Sequence, residues 1–510
     1  MPATSQVTIT PISTSLSLCL IDIFERVAHR AGAVLLDTCG STKSNGRYNV
    51  MVWEPSATVT AKHGEAPLVQ LDGEKAFTTD LQPFEAVTHY LHGSVANLKV
   101  DETSQSLAKQ LPFIVGVTGF AAYDAGRYYE KLPANAAQTY TTPDFSVGLY
   151  LSSLIEDTVT GTLYFCSATG ETTPPDFVIQ PNFATDFEDS ADTGDFCEES
   201  DHIGRVSLAS INDEKTQGDD IAKTPFSLTS DWKSNLTKEA YIDRIERIHD
   251  YLKAGDCYQV NMAQRFTAAY TGDCWHAYRA LRESNQAPFS AFIQLKNSTI
   301  LSISPERFIS VKQGVVETKP IKGTRPRFSD EAKDAQSAQS LLTASKDRAE
   351  NLMIVDLLRN DLSKHCKPHS VKVPELFALE SYEAVHHLVS TVVGELNDDA
   401  TPLDLLASSF PGGSITGAPK IRAMEIIDEL EVHRRNIYCG SIFYMGFRED
   451  MDSSICIRTL LAENNQLHCW AGGGIVLDSV ANDEYKETLD KVSKILPVLT
   501  SHFGAGREQS

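Results

Sequence analysis

The apolar and polar positions of this chain fall into two patterned regions separated by a stretch with no pattern. Residues 34–38, 47–55 and 112–123 read as strands, and glycines 116, 119 and 126 mark close backbone packing or bulges. Residues 18–31 put Ile21, Phe24 and Val27 or Ala28 on one face and predict a short amphipathic helix. Residues 147–155 and 162–167, joined by Asp157-Thr158-Val159-Thr160-Gly161, predict a hairpin. Residues 1–170 therefore read as mostly sheet with a few helices. Residues 171–224 are rich in Asp, Glu, Thr, Ser and Pro without sustained periodicity, which predicts a disordered linker or insertion. It divides an N-terminal region, 1–170, from a second unit, 225–505.

That second unit opens on a helix. Thr237 is its N-cap, Ile242, Ile245, Ile248 and Leu252 form its stripe, and Gly255 ends it. Alternation predicts strands over 258–266, 288–295, 299–304 and 307–311, the last two half-buried. A helix follows over 345–362, then a glycine loop, 411–420, leading into a helix over 421–430. Strands are expected at 438–447, 453–463 and 466–477, and Asn482 as the cap of a final helix carrying Glu484 and Glu487.

The chain of 510 residues has a formal charge of -23, which argues against nucleic acid or an anionic membrane as its main partner. Between Glu171 and Asp220 there are 14 acidic and 2 basic residues, a net of -12, so the remainder is only mildly acidic and compatible with a small anionic substrate. No run of apolar residues is long enough to span a membrane, and the first residues lack the basic segment of a signal peptide. Ten scattered cysteines, none in a C-x-x-C pair, read as reduced core residues. A soluble cytoplasmic protein is expected.

Candidate chemistry starts at Lys322, in Lys319-Pro320-Ile321-Lys322-Gly323-Thr324. A lysine between Ile and Gly at a strand end is either a desolvated nucleophile or base, or a side chain that snorkels to water. The loop 412–420 lacks the Gly-Lys-Ser/Thr of a P-loop. Its N–H groups and the Ser414 hydroxyl suit an anion, as do Gly472, Gly473 and Gly474, unless both stretches are simply tight turns. Asp347 with Glu350, and Glu484 with Glu487, are carboxylates three apart on helices. That spacing serves a hard cation, better Mg2+ than Ca2+, or only the helix dipole. Of His386 and His387, one at most faces a site. Arg458, in an apolar strand, needs an anionic partner from the protein or from a substrate. No cysteine sits in the glycine-flanked elbow of an amidotransferase, so any ammonia must come from outside this chain.

Taken in order, Lys319 to Thr324, Asp347-Arg348-Ala349-Glu350-Asn351-Leu352-Met353, Pro411 to Lys420 and Ala471 to Val476 resemble the chorismate-utilising enzymes, over nearly the whole second half. The resemblance is tightest to the branch that aminates chorismate at C4, marked by lysine in Pro-Ile-Lys-Gly-Thr where the anthranilate-forming branch typically has alanine. It implies an α/β (α+β) fold with two large antiparallel β-sheets in a sandwich flanked by helices. It implies conversion of chorismate and ammonia to 4-amino-4-deoxychorismate on the route to folate, with Lys322 attacking C2 and Glu306 protonating the leaving hydroxyl. Glu350 and Glu487, with Glu484 and Asp347 behind them, would hold Mg2+. Arg458, Tyr444, His387, Ser414 and the amides of Gly472 to Gly474 would position the substrate, and a glutaminase subunit would supply ammonia. The N-terminal region of the family can bind tryptophan. The matching positions are Thr38, Asn45, Gly46, Arg47, Tyr48, Pro288, Phe289 and Ser290. Thr38 stands where serine is usual, which points to a retained pocket without feedback control. The alternatives are an anthranilate-forming enzyme and a non-catalytic tryptophan-binding relative.

Overall fold

The computed structural model describes residues 6–12, 19–40, 46–179, 224–382 and 385–504. Asn45 and residues 180–223, most of the expected acidic linker, lie outside the described residues. Residues 176–179, still within that expected linker, form a short helix whose Phe177 meets Trp53 edge-on at 5.2 Å.

Two large sheets, one of 14 strands and one of 12 among the described residues, are flanked by helices. Alternation along single strands shows how they are covered. Val34 faces one apolar core, shared by Val117, Val147 and Phe443 of the second sheet. Leu35 faces another, beneath the helices Leu20–Glu25, Cys274–Asn285 and Leu496–Phe503. Because the larger sheet is covered on both faces, Ser298–Ser304 is buried along its whole length rather than half-buried as its alternation predicts.

The two sequence regions contribute to both sheets. Phe289–Gln294 pairs with Val34–Asp37 in the larger sheet, and Ser441–Gly446 pairs with Gly116–Ala121 in the smaller.

Several expected strands divide where the chain passes from one sheet to the other. The run 147–155 is two strands, Phe145–Tyr150 in the smaller sheet and Ser152–Asp157 in the larger. Only the second forms the hairpin with Thr162–Ser167. Likewise 453–463 divides into Met451–Ile455 and Thr459–Glu463. Alternation continues across such a corner, so periodicity does not reveal it.

The first helix of the second unit forms as expected. Lys238–Ala254 is capped by Thr237 and ended by Gly255 at φ 82°. The last acidic helix starts two residues earlier than expected, at Ala481, so Val480 and not Asn482 is its N-cap residue. Among the described residues no helix is long and apolar enough to cross a membrane.

Candidate active site

The site lies where two neighbouring strands change sheets side by side. The chain leaves the larger sheet at Ser304 and enters the smaller at Arg307, leaving Glu306 in the crossing. Its neighbour makes the reverse passage between Ile455 and Thr459 and carries Arg458 at φ 53°. Backbone bonds knit the two crossings together. Ile455 N donates to Glu306 O at 3.1 Å, and Ile303 N to Arg458 O at 3.0 Å. Glu306 and Arg458 share this corner between the sheets and feel each other's charge. Burial pushes the Glu306 carboxyl above its usual range, against the pull of Lys322, Lys491 and Arg458. Arg458 feels Glu306 in return, yet among the described residues no carboxylate ion-pairs with it.

Lys322 reaches this corner from Ile321–Pro326 through a bulge. Ile321 pairs with Val389 and Thr324 with His387, so three steps on one strand face two on the other, and Gly323 takes φ 84° to absorb the extra residue. The bulge turns Lys322 inward. Its Nζ donates to the carbonyl of Ser414 at 3.3 Å, and burial pulls its pKa down against the attraction of Glu306, Glu350 and Glu487. Desolvation thus favours the proton on the carboxyl and the free amine on the lysine. The side chain does not snorkel.

The glycine-rich loop turns an acceptor toward Lys322. Its turn, Gly413–Ile415, packs so closely on helix Ser345–Ser363 that a Cβ on Gly413 would lie 2.0 Å from Leu357 Cδ2. What Ser414 turns toward Lys322 is its carbonyl, which also accepts from Asn261 Nδ2 at 3.3 Å.

Gly472, Gly473 and Gly474 are not a turn. They belong to strand Gln466–Ile475, paired with Ala263, Met262 and Asn261. A Cβ on Gly473 would lie 3.2 Å from Glu484 Oε2 and 3.3 Å from Glu487 Oε1, and one on Gly474 would lie 2.3 Å from Gln259 Nε2. Acids cover one glycine and amides the other.

Those acids come from two helices. Glu484 and Glu487 lie on Ala481–Val492, and Glu350 on Ser345–Ser363. Lys346 Nζ stands 3.9 Å from both Glu350 Oε1 and Glu484 Oε1, while Lys491 Nζ is 2.7 Å from Glu487 Oε1 and donates to Gly472 O at 2.8 Å. Burial raises the pKa of Glu350 and Glu484. Asp347 stands apart, its carboxylate held by Arg325 at 2.8 Å. Among the described residues no three His, Cys, Asp or Glu side chains close on a point as a complete metal site does. An oxygen-only set balanced by two ammonium groups nevertheless fits Mg2+, which takes one or two carboxylates and fills its shell with water and substrate oxygens.

His387 and Tyr444 stand further out. His387 Nδ1 lies 2.9 Å from Thr324 Oγ1, while His386 is buried against Asp334 at 3.1 Å, so one histidine is packed as expected. Tyr444 rests edge-on to Phe113 at 5.6 Å and feels Asp452 and Arg307.

The positions matched to tryptophan binding gather around Val34–Asp37. Asp37 pairs with Ser290, Thr38 donates to Asn49 Oδ1 through both N and Oγ1 at 2.9 Å, and Arg307 stacks over Phe289 at 5.1 Å. Arg47 lies over Tyr48 and is engaged by Asp157 at 2.7 Å, and Gly46 O accepts from Thr158. Ser290 Oγ donates to Ala287 O across Pro288.

Sequence reading missed Gln259 and Asn261, although amides alternating with Val260 and Met262 were a signal available in the pattern. It also missed Lys346 and Lys491, each four residues from an acid it pairs with.

A desolvated amine facing a desolvated carboxyl, beside a cluster of acids, is equipment for nucleophilic attack with proton transfer. This is an enzyme site. The chain belongs to the chorismate binding enzyme family, whose model matches residues 33–497. It is 43% identical over 486 residues to aminodeoxychorismate synthase component 1 of Klebsiella aerogenes, covering 94% of this chain and 96% of that one. The same-named protein of Escherichia coli is 43% identical over 482 residues, covering 93% and 95%. Among solved structures, anthranilate synthase component I from Streptococcus pneumoniae matches with a TM-score of 0.68 at 26% identity, over 95% of this chain and 99% of that one.

Proposed function

We propose that this enzyme converts chorismate and ammonia to 4-amino-4-deoxychorismate for folate biosynthesis. The observation that carries the reading is Lys322, a desolvated amine at the same corner as Glu306. The neutral amine attacks C2 of chorismate and sheds a proton as the ring π-electrons shift, breaking the bond from C4 to its hydroxyl. Glu306, whose pKa burial raises, delivers its proton to that hydroxyl, which departs as water. Ammonia then forms a bond at C4, the π-electrons shift back, and the bond from C2 to Lys322 breaks. Lys322 takes back a proton and the ring diene is restored. Arg458, desolvated and without a carboxylate ion pair among the described residues, is suited to a substrate carboxylate. In this reading Ser414, the Gly472 to Gly474 strand, His387 and Tyr444 position the substrate.

Glu350, Glu484 and Glu487 would hold Mg2+ in this reading, with Asp347 outside them. Bound there, the ion offsets charge between the acids and a substrate carboxylate. A glutaminase partner supplies the ammonia, and the residues around Thr38 and Ser290 hold tryptophan as a structural ligand. Eight of nine described cysteines are free and buried, in keeping with a reducing cytoplasm.

The test is to mix the protein with chorismate, Mg2+ and an ammonium salt. The expected product is 4-amino-4-deoxychorismate, with glutamine replacing ammonium only when a glutaminase is added. Prompt formation of fluorescent anthranilate overturns the assignment, and a rate unaffected by EDTA removes Mg2+ from it. Native mass spectrometry tests the ligand, since a mass without bound tryptophan refutes that part alone.

A further inference from the structure

We propose that Arg435 is a positioning residue for Lys322, acting through the backbone of the glycine-rich loop. Arg435 is 1% exposed, and its guanidinium is spent on an array that converges on this site. It forms a two-point pair with Glu431, Nη2 to Oε1 at 2.7 Å and Nε to Oε2 at 3.0 Å. Its remaining N–H groups donate to two main-chain carbonyls, Ile415 O at 3.1 Å and Asn261 O at 2.9 Å. Glu431 completes the grip by accepting from Ala263 N at 3.0 Å, and the ring of Tyr123 lies 4.7 Å from the guanidinium.

These two carbonyls belong to the segments that touch Lys322 and its neighbour. Ile415 follows Ser414, whose carbonyl takes the Lys322 N–H. Asn261 sends its amide to the same carbonyl and its N–H to Thr416 O at 2.9 Å. A neutral amine has two N–H bonds and one lone pair, so seating an N–H on Ser414 O directs the lone pair that attacks. The planar fork of arginine reaches both carbonyls and the carboxylate at once, whereas a lysine ammonium is a single point on a flexible stem.

The proposal rests on Lys322 being the nucleophile, and a double-mutant cycle tests it. Chorismate consumption is followed, so the cycle reads whichever product forms, while product identity judges the assigned reaction separately. Arg435→Lys is expected to lower kcat about 10²-fold, the usual consequence of misplacing a reacting group by about 1 Å, with KM for chorismate within about threefold. Added to Lys322→Ala it is expected to cost less than about twofold. Equal costs in both backgrounds overturn the proposal, because a merely structural arginine matters equally with and without Lys322. A crystal structure of Arg435→Lys tests the same claim without turnover. Ser414 O is expected to leave the Lys322 contact, and an unchanged contact overturns the proposal. Should Arg435→Lys not fold, the paired exchange Glu431→Met with Arg435→Met replaces the buried ion pair by apolar volume and is read by the same structure and the same cycle.

Discussion

Burial acts in opposite directions on the two groups that matter most, and that opposition is what makes the corner reactive. Removing water raises the pKa of Glu306 and lowers that of Lys322, while their mutual attraction works against both shifts. The reacting forms are the protonated acid and the free amine. Activity therefore rises with pH as Lys322 loses its proton and falls as Glu306 loses its own. Glu306→Gln is expected to reduce turnover about 10² to 10⁴-fold and to abolish the high-pH limb while the low-pH limb remains. A pH–rate profile checks this, and a high-pH limb that persists in the variant assigns the acid elsewhere. Lys322 itself could be singled out in the sequence. The seating of its amine on the carbonyl of Ser414, 92 residues later, could not.

At the scale of elements, sheet corners and a bulge do the positioning. Glu306 and Arg458 are brought together because adjacent antiparallel strands change sheets at the same level, and Lys322 is turned inward because its strand carries one extra residue. Gly323 is the weak point of that arrangement. A side chain there meets a φ of 84° and lies 2.8 Å from Leu341 Cδ1 and 2.9 Å from Asp347 Cγ. Gly323→Ala is expected to cost about 1–3 kcal/mol of stability from backbone strain and to slow turnover by displacing Lys322. Thermal denaturation and steady-state kinetics measure the two effects, and a variant with normal turnover removes the bulge from the account. Strands with period-two alternation were readable from residues alone. The corners within 147–155 and 453–463 were not, because the pattern of inward and outward side chains is the same on both sides of a corner.

Across the whole molecule, the sequence break at 171–224 does not coincide with a break in either sheet. Strands from both sides of it complete both sheets, and the core between the sheets draws on both regions. Expressed alone, residues 225–505 expose the hydrogen-bonding edges of Phe289–Gln294 and Ser441–Gly446, which the N-terminal region otherwise covers. That fragment is expected to aggregate or remain without fixed packing, and to gain activity when co-expressed with residues 1–170. A fragment that gives a dispersed NMR spectrum and a cooperative melt by itself refutes this.

The residues by themselves determined many of the strands and helices and the motif that carries Lys322, because hydrophobic period, capping and short motifs are local properties, and the class of fold followed from the resemblance those motifs carry. They left open whether the lysine was solvated, what answered the charge on Arg458, and whether the glycines were turns. Those answers depend on burial and on contacts between segments far apart in the chain, as Lys322 is from Ser414. Only the tertiary structure decided that acids and amides roof the strand of Gly472 to Gly474, that Asp347 is held by Arg325, and that Arg435 grips the loop beneath the lysine.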